Sequence, residues 1–112
     1  MATPKEVVEA WHDALNRGDV EGLARLVHPD VEIHGPRGSV SGVQMMREWA
    51  LHANVRLLPQ AYFANAQNIL VPATGEWFDP ANGQVTSSQP VVTLFSLDAG
   101  LITSITRYDP VV

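Results

Sequence analysis

The chain has 112 residues, 46% of them hydrophobic, no cysteine and a formal net charge of -5. That size and apolar content fit one hydrophobic core, so a single domain over residues 1–112 is expected, with no disorder beyond the ends. The acidic balance leaves no basic stripe for a phosphate backbone, which argues against nucleic acid, and the lack of cysteine excludes disulfides and cysteine-held metals and fits a cytoplasmic setting.

Thr3-Pro4-Lys5-Glu6 reads as a helix start, with Thr3 as N-cap, Pro4 at the first helical position and Glu6 closing a capping box. It lacks the layout of a secretory signal. Val7, Val8, Trp11, Ala14 and Leu15 recur at helical spacing until Gly18. Asp19 is placed to cap a second, shorter helix over Val20 to Val27, with Pro29 following its end. Val31-Glu32-Ile33-His34 alternates as a strand does and stops at the loop Gly35-Pro36-Arg37-Gly38. Ser39 or Ser41 is expected to cap a third helix over Val43 to about Ala53, with Val43, Met46, Trp49 and Ala50 on one stripe.

From Val55 onward the pattern is that of strands: 55–64, 68–78, 85–97 and 101–108, separated by turn sequences such as Asp79-Pro80-Ala81-Asn82-Gly83 and Asp98-Ala99-Gly100. Tight turns make these strands antiparallel, and helices segregated from strands predict an α+β architecture. Pro72 and Pro90 fall inside strands and mark edges, bulges or bends. No apolar run approaches the roughly 20 residues of a membrane-spanning helix.

The order helix, short helix, strand, loop, third helix and antiparallel strands resembles the nuclear transport factor 2-like superfamily over nearly the whole chain. Val31 to Pro36, Ser41-Gly42-Val43 and the closing segment Pro90 to Ile102 with Thr106-Arg107-Tyr108-Asp109-Pro110 resemble its SnoaL-like branch. The resemblance implies a cystatin-like cone: three N-terminal helices on a strongly curved antiparallel sheet, enclosing an apolar pocket for a small-molecule ligand. It also implies a homodimer through the outer sheet face, in keeping with apolar residues on both faces of the late strands, as in Val91-Val92 and Leu94-Phe95. That superfamily includes isomerases, cyclases, hydrolases and proteins that only bind, so fold alone does not select among them.

Carried over residue by residue, the family's general base at the end of the first strand falls on Ile33, His34 or Gly35, none of them a carboxylate. The epoxide-hydrolase aspartates and arginine fall on Gly75, Trp77 and Thr106. His34 is therefore the candidate proton carrier, because imidazole titrates near neutrality. Strand parity turns it, with Glu32, away from the buried Val31 and Ile33 unless the strand bulges. Tyr108 is the candidate hydroxyl donor to a ligand carbonyl if it shares an inner face with Ile102, Ser104 and Thr106; Arg107 and Asp109 then face outward.

Trp11, Trp49 and Trp77, on separate elements, are candidate walls of the pocket, joined on parity by Tyr62, Gln89, Thr93 and Thr106. The histidines His12, His28, His34 and His52 show no metal-ligand spacing, and no cofactor is expected. Two functions stay open: an acid–base isomerase, cyclase or lyase, and a non-catalytic binding or dimerisation module.

Overall fold

The computed structural model describes residues 2–109. Helix α1, Pro4–Arg17, opens on the full capping box, with the Glu6 amide donating to Thr3 Oγ1 at 3.2 Å and the Thr3 amide to Glu6 Oε1 at 3.0 Å. Gly18, at φ +70°, closes the helix in the left-handed conformation that glycine adopts without a Cβ clash. Helix α2, Val20–Arg25, is capped by Asp19, whose Oδ1 accepts from the Gly22 amide at 2.9 Å.

Strand β1, Val27–Gly35, and strand β2, Gly38–Ser41, form a hairpin around Pro36-Arg37. Pro29, expected beyond a helix end, lies within β1. It falls between Val27 and Glu32, where the pairing register shifts and a missing N–H is tolerated. Strand β2 is an exposed polar edge with no apolar alternation to announce it. It takes up Ser39 and Ser41, so helix α3, Val43–His52, is capped by Gly42 at φ +97° with no side-chain bond.

The remaining strands are β3, Val55–Pro59; β4, Phe63–Asn65; β5, Asn68–Phe78; β6, Val85–Asp98; and β7, Leu101–Tyr108. They form one sheet in the order β2-β1-β7-β6-β5-β3, with β4 also paired to β5. Every pair is antiparallel except β1 with β7, which run parallel. The sheet is thus mixed, where a purely antiparallel one was expected. The chain leaves β1 and reaches β7 only after α3 and the other strands, a connection long enough for parallel pairing.

The expected strand 55–64 is broken at residues 60–62. Pro59 ends β3 opposite Ala73, beside Pro72, and the Gln60 amide turns to the Pro72 carbonyl at 2.9 Å. Pro72 therefore sits in the gap between β3 and β4. Pro90 pairs with Thr74 of β5 and lies two residues before Val92, where the pairing of β6 with β7 begins opposite Tyr108, so it stands at the end of that ladder among the described residues.

Helix α1 lies along β3, β5 and β7, and α3 packs on β1 and β2. The apolar faces meet in a core that includes Val8, Trp11, Leu23, Val31, Met46, Ile69, Val71, Phe95 and Ile102. Trp11 is central to it: its ring meets Phe95 edge-on at 5.1 Å and stacks on Trp49 at 6.4 Å. Among the described residues no helix is long and apolar enough to cross a membrane.

Candidate functional site

Between the helices and the sheet lies a cavity of about 830 Å³, open at one end. Its inner wall is built by Trp11 of α1, Met46 and Trp49 of α3, Leu57 of β3 and Ile105 of β7. Its mouth is framed by the β1–β2 hairpin with Arg37, by Ser87 and Gln89 of β6, and by Arg107 and Asp109 at the end of the chain's last strand.

Of the candidates named from sequence, the structure brings Trp11, Trp49, Trp77, Gln89 and Thr93 to the cavity wall and His34 to its rim. The His34 side chain is 40% exposed, its Nδ1 lies 2.7 Å from Ser39 Oγ, and its Nε2 lies 4.0 Å from Glu32. Trp11 Nε1 and Thr93 Oγ1 are buried at the wall without a hydrogen-bond partner among the described residues, so polar capacity is held there in apolar surroundings.

Three candidates lie elsewhere. Tyr108 is on the outer face, opposite Val92 and 54% exposed, and Thr106 is on the same face opposite Leu94. The cause is a bulge. Leu97 pairs with Ile102 while Ser96 pairs with Ser104, so Thr103 is an extra residue in β7 and everything after it changes sides. Tyr62 lies outside the cavity because the break after Pro59 ends strand parity before reaching it. Its ring meets His12 edge-on at 5.9 Å, and burial, with the nearby Glu9, pushes its phenol above the ordinary range.

The same bulge turns Arg107 and Asp109 inward, the pair that unbroken alternation put outside. Asp109 is the single carboxylate among the described residues lining the cavity. Arg107 Nε stands 2.9 Å from Asp109 Oδ1, and its NH2 group donates to Oδ2 at 3.3 Å. The Arg107 guanidinium also lies 5.6 Å from the centre of the Trp77 ring, a cation–π distance. The sequence signal for this arrangement is the spacing of three between Ile102 and Ile105, both buried, where alternation requires two or four.

Trp77 owes its place to Gly75. A Cβ on Gly75 would stand 2.9 Å from two ring carbons of Trp77, closer than side chains pack, so the bare backbone lets the indole fold back along its own strand. The ring thereby becomes one wall of the cavity and a plate under Arg107.

Next to the cavity, His12 is 3% exposed, among the rings of Trp11, Tyr62 and Phe95. Its Nδ1 is 2.8 Å from the Val8 carbonyl, which fixes the proton there, and its buried Nε2 has no partner among the described residues. Burial holds its pKa below the ordinary 6.5, outweighing the opposite pull of the Val8 carbonyl. Among the described residues no three histidine, aspartate or glutamate side chains gather as metal ligands would.

A family model described as a SnoaL-like domain matches residues 8–105. A search of curated proteins finds no match. Among solved structures, a nuclear transport factor 2-like protein of unknown function from Cytophaga hutchinsonii superposes with TM-score 0.86 at 17% identity, covering 98% of this chain and 92% of that one. TerC, crystallised with polyporic acid, gives 0.83 at 21% identity over 96% and 92%. A candidate polyketide cyclase from Pseudomonas putida gives 0.81 at 22% identity over 99% and 94%. At such identities the likeness is one of fold.

Proposed function

The chain belongs to the SnoaL-like domain family, and on that premise we propose that it binds an apolar small molecule in its cavity and moves a proton on it, as an isomerase, cyclase or lyase does. The observation that carries this reading is Asp109, the single carboxylate among the described residues lining the cavity, set at a mouth that leads to an inner wall of tryptophans and aliphatic side chains. A volume of about 830 Å³ is in the range of small-molecule sites, and a carboxylate at the mouth of such a place is a usual means of acid–base chemistry. The reading also draws on neighbours of the same fold, one holding polyporic acid and one described as a candidate polyketide cyclase.

In this reading Asp109 takes over the role of proton acceptor from His34, which remains at the rim. A ketone such as 2-tetralone, incubated with the protein in D₂O, should exchange its α-protons faster than in buffer. Asp109→Asn should slow that exchange about a hundredfold, the scale of a lost general base. Binding of the ketone without any acceleration would make the protein a binding module rather than an enzyme.

A homodimer through the outer sheet face belongs to the same proposal, as does a cytoplasmic location. Phe63, Leu70 and Leu94 stand side by side on that face, next to the row Pro72, Val92 and Tyr108. An antiparallel layer needs one buried face, and this second apolar one invites a copy of itself. Sedimentation at micromolar concentration that shows only monomer would remove the dimer.

A further inference from the structure

Charge at the cavity mouth runs against charge on the chain. The molecule carries a net -5, yet among the described residues lining the cavity the arginines Arg37 and Arg107 face a single carboxylate, Asp109. The pairing of Arg107 with Asp109 is also poorly made. Nε and Oδ1 approach to 2.9 Å, but both atoms are buried and neither makes an aligned hydrogen bond, and the bond that is aligned is the longer one at 3.3 Å. Asp109 stands two residues after Arg107, just past the end of β7, and offers the guanidinium one aligned hydrogen bond. A free carboxylate entering the cavity can offer two in parallel.

We propose that the cavity takes an anion, a carboxylate or ionised enol carried on a flat apolar body, and that this anion displaces Asp109 from Arg107 when it binds. The claim rests on the cavity being the ligand site and adds the ligand's charge and the partner it replaces. The flat body lies against the Trp77 ring, which already stacks with Arg107 at 5.6 Å. Arg107 turns its fork to the ligand, and the Asp109 carboxylate, relieved of its cation, is left facing the bound molecule where a proton acceptor is needed.

The test compares 2-naphthoate with its neutral isostere 2-naphthamide by titration calorimetry on the whole protein. Wild type should bind the naphthoate roughly tenfold more tightly, the scale of one charge-assisted pair. Arg107→Gln should abolish the preference. Asp109→Asn should strengthen naphthoate binding, because it removes the internal competitor; weaker binding in that variant overturns the exchange. If wild type binds both ligands equally and Thr93→Phe blocks both, the cavity is the ligand site but the anion inference falls. If neither ligand binds wild type or Asp109→Asn, both readings fall.

Discussion

The carboxamide of Asn16 closes two hydrogen bonds on the backbone of Leu57, with Nδ2 donating to the carbonyl at 2.8 Å and Oδ1 accepting from the amide at 3.0 Å. A side chain near the end of α1 thus does for the outer edge of β3 what another strand would do. The contact covers a sheet edge and pins the helix that carries Trp11 to the strand that carries Leu57, two walls of the cavity. Asn16→Ala should lower unfolding free energy by about 2 kcal/mol, two part-buried hydrogen bonds at once, read from urea denaturation. Asn16→Asp, which keeps the acceptor but loses the donor, should fall nearly as far; an aspartate as stable as wild type would show that the carbonyl bond is idle.

His12 makes stability depend on pH. Its folded pKa is depressed below the ordinary 6.5, so as pH falls through that value the unfolded chain takes up a proton that the folded chain refuses. Stability should therefore decline from about pH 6.5 downward and level off once the pH is below the lowered folded value. Denaturation curves between pH 7 and pH 5 should have a flatter pH dependence in His12→Phe than in wild type. Equal slopes in the two proteins would place the pH dependence elsewhere.

Gly75 and Trp77 are expected to be coupled. Gly75→Ala pushes a methyl group into the indole, and the ring, being the mobile partner, swings off the strand into the space beside Arg107. The substitution should cost about 1–2 kcal/mol and shift tryptophan emission. In the background Trp77→Leu the same substitution should cost much less, leaving a coupling of about 1 kcal/mol in a double-mutant cycle. Additive effects would mean that Trp77 does not depend on the missing Cβ.

At the β6–β7 hairpin, Ala99 sits at φ +52° followed by Gly100 at φ +82°, between the paired Asp98 and Leu101. Two central residues with positive φ are the requirement of a type I′ turn, which asparagine fills better than alanine. Ala99→Asn should raise stability by about 0.5–1 kcal/mol, seen as a higher urea midpoint at unchanged m-value.

Where local chemistry dictates local structure, the sequence could be read directly. Thr3 and Glu6 start α1, Gly18 ends it, and the turns at residues 79–83 and 98–100 divide the late strands where they were expected. The site was harder because it depends on which way a side chain faces, and facing is set by counting along a strand. One extra residue at Thr103 upset the count for Thr106, Arg107, Tyr108 and Asp109, and the break after Pro59 upset it for Tyr62. Asn16 was invisible for another reason: its partner is a backbone group 41 residues away, which leaves no mark in composition or periodicity.

Thr103 also gives the molecule an unusual kind of editability. Drawing Thr103 into regular pairing with Ser96, without deleting it, would slide the end of β7 by one residue and exchange its two sides, moving Arg107 and Asp109 to the surface and Thr106 and Tyr108 into the interior. A charged mouth would become a hydroxyl-lined one, while an apolar outer patch would gain an ion pair. Ligand chemistry and self-association would then shift together, so that a lineage altering one by this route could not leave the other untouched.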